Sequence, residues 1–260
     1  GTVLVKDISP AVGTNSSPAN LTDVNGTLFF SATDGVNGIE LWKSDGTSAG
    51  TVMVKDINPG SVNSTPSNLR AIGSTLYFTA TTAANGTELW KSDGTSAGTV
   101  LVMEIAAGTA SSSPANLTVI GSTIYFSASN GLNGTELWKT DGTTTAMVKD
   151  IFAGTGSSSP ANFAAIGSTL YFSASTSTQG NELWKSDGTN AGTVLISDIF
   201  TGAASSSPLL LTNIQGTLYF TALTAQGREL WKSDGTSLGT FIVADIWPGT
   251  SSSSPSAIGA

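Results

Sequence analysis

Glu136-Leu137-Trp138-Lys139-Thr140-Asp141-Gly142-Thr143 is one of five near-copies of the same eight residues, whose tryptophans stand at positions 42, 90, 138, 184 and 231. The steps between them are 48, 48, 46 and 47 residues. A period of that length is too long for one coil of a single-strand solenoid and matches one blade of four antiparallel strands in a β-propeller. The fold class it predicts is all-β, a β-propeller of about five four-stranded blades.

Working outward from this third copy, residues 116–120 read as a first strand. A tight Gly121-Ser122 turn leads into Thr123-Ile124-Tyr125-Phe126-Ser127-Ala128, which is β-prone throughout. After a Gly/Asn-rich loop, Glu136 to Lys139 alternate polar and apolar, as in a strand with one buried face. Asp141-Gly142 then closes a hairpin into a fourth strand at 147–151. A Ser-Ser-Ser-Pro stretch ending at Pro160 carries the chain onward, with proline where no ladder bond is needed. The same reading places units near 17–58, 65–106, 113–152, 159–200 and 207–247, so 1–260 reads as one repeat domain. Two pieces remain: 1–8 repeats a fourth strand and 254–260 repeats a first strand, the halves of an interrupted blade. The expectation is five blades with these two extra strands, the alternative being a piece of a longer array, and the open strand edges could pair with another copy.

The residues match the Glu-Leu-Trp-x-x-Asp-Gly-Thr repeats of bacterial proteins, and the resemblance covers nearly the whole chain. It implies a repeat architecture and export to the cell surface or the medium, not a reaction. The Ser-Asp-Gly-Thr turn is also similar to the Asp-box hairpin of other propellers, which enzymes and non-enzymes share.

Composition narrows the function classes. The net charge is −8 with ten scattered Lys and Arg, which argues against nucleic acid as a partner. No apolar run reaches 18 residues, so no membrane insertion is expected. There is no cysteine, which removes disulfides and thiolate chemistry and is compatible with a secreted protein.

One substrate needs one asymmetric set of groups, so a catalytic site on a repeat scaffold should break the repeat. Of 18 acidic residues, sixteen recur in register: the Glu before each Leu-Trp, the turn Asp, and Asp7, Asp56, Glu104, Asp150, Asp198 and Asp245. Only Asp23 and Asp34 depart, and among the cations only Arg70 and Arg228. With no histidine and no cysteine, the commonest nucleophile pairs are unavailable, and the chain reads as a non-enzyme with no catalytic residues. A hydrolase built on a carboxylate pair is the reading of last resort, and it requires Asp23 or Asp34 to meet another acid in a cleft.

The recurring groups read as scaffold. Asp45, Asp93, Asp141, Asp187 and Asp234 should accept backbone N–H bonds within their own turns. Trp42, Trp90, Trp138, Trp184 and Trp231 should pack between blades, and the Lys after each Trp should face solvent. No metal site is predicted. Calcium is the one ion worth weighing as a cofactor, although no Asp-x-Asp-x-Asp-Gly pattern occurs.

Recognition is expected on the loops between second and third strands, which carry Asn37, Asn85 and Asn133. It is also expected at the residue after each Asp-Ile, which becomes aromatic at Phe152, Phe200 and Trp247. The function these features suggest is a non-catalytic extracellular or surface module for adhesion, binding or ordered assembly, its partner a protein or glycan. A multivalent lectin is the alternative.

Overall fold

The structure, a computed structural model, describes residues Gly1–Gly259. Its described residues form five four-stranded antiparallel sheets and no helix. The first sheet is β1 (Ala19–Val24), β2 (Thr27–Thr33), β3 (Ile39–Ser44) and β4 (Val52–Lys55). The second is β5 (Ser67–Ile72), β6 (Thr75–Thr82), β7 (Gly86–Ser92) and β8 (Val100–Met103). The third is β9 (Ala115–Ile120), β10 (Thr123–Ser129), β11 (Thr135–Thr140) and β12 (Thr145–Lys149). The fourth is β13 (Ala161–Ile166), β14 (Thr169–Thr176), β15 (Gly180–Ser186) and β16 (Val194–Ser197). The fifth is β17 (Leu209–Ile214), β18 (Thr217–Thr224), β19 (Gly227–Ser233) and β20 (Phe241–Ala244). In every sheet the strands lie side by side in chain order, as short hairpin connections dictate.

Register recurs with the sequence. Phe30, Phe78, Phe172 and Phe220 stand opposite Trp42, Trp90, Trp184 and Trp231, and a bulge follows the preceding leucine where the third strand meets the fourth. Gly180 begins β15 at a φ of 62°, and a Cβ there would run into the Ala204 carbonyl of the connection crossing above it. Only glycine allows that approach.

The chain falls into two compact units, Gly1–Leu117 with Ser129–Gly131, and Thr118–Ala128 with Leu132 onward. In the first unit, Phe29, Leu41 and Val54 of the first sheet pack on Leu76, Phe78, Ala80 and Trp90 of the second. In the other, Tyr125, Leu137 and Val148 meet Leu170, Phe172, Ala174 and Trp184, and Tyr171, Leu183 and Ile196 meet Leu218, Phe220 and Ala222. Leu41, Leu137 and Leu183 thus face the following sheet, and Trp90, Trp184 and Trp231 the preceding one, as a period of two requires. Each fully buried side chain of this size contributes about 1.5–3 kcal/mol.

Two expectations are corrected here. Glu-Leu-Trp was expected to bury one face, but both are buried: Glu88 and Leu89 are fully enclosed and Trp90 is 8% exposed. A sheet stacked on both sides has no solvent face. The extra strands at 1–8 and 254–259 are also absent, since no strand precedes Ala19 or follows Ala244 among the described residues, and residue 260 lies outside them. A fourth-type strand needs the third strand of its own sheet as hydrogen-bonding partner, and among the described residues no strand pairs with 1–8. Ile8 nevertheless packs on Phe30, Ala32 and Trp42, the place Ile57 takes in the core with Phe78, Ala80 and Trp90.

Candidate functional site

The most heavily engaged ionisable groups are the glutamates before each Leu-Trp. Pointing away from the leucine in a sheet covered on both sides, each carboxylate reaches the connection that leaves its own sheet. Glu182 accepts from Ile199 N (2.9 Å), Ser206 N (2.8 Å) and Ser206 Oγ (2.6 Å). Glu40 takes Ile57 N, Ser64 N and Ser64 Oγ, and Glu136 takes Ile151 N, Ser158 N and Ser158 Oγ in the same way. Glu88 adds Ala106 N to this set. The glutamates thus tie down the serine- and proline-containing connections. The sequence marks them only by their recurrence, because the serine each one holds lies 22 to 24 residues away.

The turn aspartates act within their own turns. Asp93 Oδ1 accepts Thr95 N (2.8 Å) and Thr95 Oγ1 (2.7 Å), and Asp45, Asp187 and Asp234 bond Thr47, Thr189 and Thr236 alike. Asp141 holds Thr143 N and Thr144 N instead. Of the lysines expected to face solvent, Lys43 and Lys185 are bridges. Lys43 Nζ donates to Gly94 O and Lys185 Nζ to Gly235 O, both at 2.8 Å, so each reaches the Asp-Gly-Thr turn of the following sheet.

Trp42, Trp90, Trp138 and Trp184 are buried and Trp231 is half-buried. The Nε1 of all five is enclosed without a protein acceptor, so these rings act through packing.

The candidate recognition residues do not converge. Asn37 bonds Asp34 through its backbone N and its Nδ2, Asn85 exchanges bonds with Thr82, and Asn133 Nδ2 donates to Asp150 Oδ2. All three amides are engaged by their own sheet's loops. Phe152 and Phe200 are half-buried, with Phe152 lying across Gly156 of its connection, and Trp247 alone is exposed, at 61%.

Nor do the departures from the repeat assemble a catalytic pair. Asp23 accepts Gly26 N, Asp34 accepts Val36 N and Asn37 N, and β2 separates the two. Arg70 Nε donates to Leu117 O, and Arg228 Nη1 to Ser207 O. No group of three metal-ligating side chains occurs among the described residues.

Small hollows recur beside the Asp-Gly-Thr turns. They have volumes of about 210, 220 and 180 Å³ and are lined by Lys43 with Asp93, Lys139 with Asp141, and Lys232 with Asp234. A fourth hollow, also about 210 Å³ and apolar, lies between Leu4, Val5 and Ile8 and the first sheet's Leu21, Leu28 and Phe30.

Burial pushes the Glu40, Glu136 and Glu182 carboxyls above their ordinary value of 4.5 against the hydrogen bonds just described. Bonds from threonine hold the five turn aspartates below 3.8. A raised carboxyl stabilises the fold fully below pH 4.5 and loses that contribution as pH rises through its folded value. A lowered one stabilises above 3.8 and loses it as pH falls. Thermal melts across pH should therefore peak on the acid side of neutrality. A peak at neutral pH would contradict the assigned directions.

No family model and no curated protein matches the chain. Among solved structures it is similar to puromycin hydrolase, at 13% identity and a TM-score of 0.53 over 90% of this chain and 38% of that one. A puromycin-hydrolyzing peptidase of Mycobacterium tuberculosis gives 9% identity and 0.51 over 92% and 39%. The computationally designed Ika8 protein gives 14% and 0.50 over 92% and 66%. The chain thus spans under two fifths of either puromycin-hydrolysing protein and just under two thirds of the designed protein, and at these identities the likeness is of fold alone.

Proposed function

We propose that the chain is a non-catalytic repeat module, its sheets the blades of a propeller-like array, that works by binding or ordered assembly at a surface outside the cell. One observation carries the reading: the ionisable side chains of the repeat are engaged in its own scaffold. The glutamates hold connections, the aspartates close turns, Lys43 and Lys185 bridge sheets, Lys232 lies over its own sheet's Phe241, and the four departures bond backbone. The hollows, at 180–220 Å³, fall below the roughly 300 Å³ at which pockets begin to enclose a drug-sized ligand. The resemblance to exported Glu-Leu-Trp-x-x-Asp-Gly-Thr repeats agrees with this reading and supplies the extracellular setting. The puromycin hydrolysis named for the two solved structures belongs to chains more than twice as long and is not carried over.

Incubation with chromogenic peptide, ester and glycoside panels should give no turnover above buffer. Turnover that falls at least about tenfold in Asp23→Asn or Asp34→Asn would replace this reading with the carboxylate hydrolase. A glycan-binding version is favoured by the recurrence of the Lys/Asp hollows, where weak identical sites would gain by multivalency. A glycan array probed with the labelled chain tests it.

A further inference from the structure

We propose that the hollow between the first and second sheets is a binding site for one sugar ring of a neutral glycan. The site rests on the glycan-binding version of the reading above and gives it one location and one ligand class. Every residue that builds it belongs to the first compact unit.

The hollow lies where the first sheet departs from the repeat. Four second strands carry a tyrosine before their phenylalanine, Tyr77, Tyr125, Tyr171 and Tyr219, and the first carries Phe29. Phe29 holds the tyrosine's register, standing opposite Lys43 as Tyr77, Tyr171 and Tyr219 stand opposite Lys91, Lys185 and Lys232. The last residue of the first strand departs as well: Val24 stands where the other sheets have Ile72, Ile120, Ile166 and Ile214. One change removes a hydroxyl and the other a methylene, and both residues line the same hollow of about 210 Å³.

The fourth and fifth sheets show what fills this place elsewhere. A Cβ on Gly235 would meet the Tyr171 hydroxyl first, and one on Gly188 the Tyr125 hydroxyl, so the phenol reaches over the glycine of the following turn. Burial, and then the charge of Asp234 or Asp187, pushes the Tyr171 and Tyr125 phenols above their ordinary value. From a Cβ on Gly94 the nearest atom is Phe29 Cζ, at 3.2 Å, the ring carbon on which a tyrosine would carry its oxygen.

The floor left behind is apolar, with Val24 and Phe29 at 6% and 4% exposure. The rim is polar. Lys43 Nζ gives one bond to Gly94 O, which leaves an ammonium two further donors. Asp93 receives both Thr95 bonds on Oδ1, so Oδ2 is left to accept. Those bonds, helped by the charge of Lys43, hold the Asp93 carboxyl below its ordinary value. Asn25 donates through Nδ2 to Gly73 O across the groove, which leaves its Oδ1 as an acceptor, and the exposed Ser74 hydroxyl adds a group of either kind. Lys43 and Asp93 offset each other in charge, and a chain of net charge −8 disfavours anions.

The matching ligand is therefore uncharged, with a hydrocarbon face for the floor and hydroxyls that accept from Lys43 and donate to Asp93. A pyranose ring has both. The volume falls short of the roughly 300 Å³ of a drug-sized pocket, which limits the occupant to one ring. The other two Lys/Asp hollows pair a lysine with the turn of its own sheet, so the one on Phe29 is the asymmetric member.

Saturation-transfer NMR with the methyl glycosides of glucose, galactose, mannose and N-acetylglucosamine should show binding of at least one, and calorimetric titration should count one site per chain. Phe29→Tyr restores the hydroxyl that the other sheets carry and Val24→Ile their methylene, so both variants should fold with an unchanged or higher thermal midpoint. Each should weaken binding about tenfold or more. Tyr171→Phe combined with Ile166→Val should open the same hollow between the fourth and fifth sheets and raise the count to two. Binding of none of the four glycosides, binding of a methyl glucuronide alone, binding untouched by Phe29→Tyr, or a count that stays at one in the double variant would each overturn the proposal. Glycan binding that survives Phe29→Tyr removes this site and leaves the glycan reading, whereas turnover of the chromogenic panels removes the non-catalytic reading and leaves the site.

Discussion

Glu182→Ala is expected to destabilise the protein by about 3–5 kcal/mol, lowering the thermal midpoint by roughly 10 °C. The methyl group leaves Ile199 N, Ser206 N and Ser206 Oγ facing an empty acceptor position. The position is enclosed, so water cannot easily replace the carboxylate. A buried donor left unsatisfied costs about 1–3 kcal/mol, and cooperative loss of the connection adds to it. Glu182→Gln should cost about half as much. Its amide oxygen can serve the two donors that share Oε2, but its NH₂ then opposes Ser206 N, a donor against a donor. Denaturant unfolding of the three proteins measures this directly. Equal cost for Ala and Gln would mean that charge rather than acceptor geometry holds the connection, and a cost under about 1 kcal/mol would mean that it is not held at all.

Trp184→Ala should cost about 3–5 kcal/mol through the cavity it opens among Phe172, Ala174, Leu170 and Tyr125. Trp184→Phe should cost much less, because the indole N–H has no protein acceptor to lose and most of the ring's contacts are kept. Trp231→Ala should be milder than Trp184→Ala, since Trp231 is only half-buried. If Trp184→Ala left stability unchanged but weakened binding to a glycan, the tryptophans would be platforms rather than core.

Local patterns carried most of the fold. The strands around Tyr125-Phe126 and Leu137-Trp138, the Asp-Gly turns and the Ser-Pro connections were readable because hairpin register depends on residues a few positions apart. The scaffold roles of the turn aspartates followed from the same local chemistry, and each bonds a threonine two residues on or the residues beside it. The lysines were misread because an outward position on an isolated strand becomes an inter-sheet position once a second sheet lies 50 residues along the chain, as Lys185 and Gly235 show. The glutamates were passed over as mere repeat members. Alternation places them opposite leucine, but only stacking on both sides turns that direction into an enclosed one.

By itself the sequence determined that strands form in fours, where they turn, and that chemistry-bearing residues stay in register, because all of this follows from period-two patterning and from turns of two to four residues. Only the tertiary structure decided which carboxylate is enclosed, which lysine bridges, and that residues 1–8 pack without becoming a strand. Those outcomes depend on partners 22 to 50 residues away, or on the lack of one, and the free energy of a buried group is set by what surrounds it rather than by its neighbours in the chain.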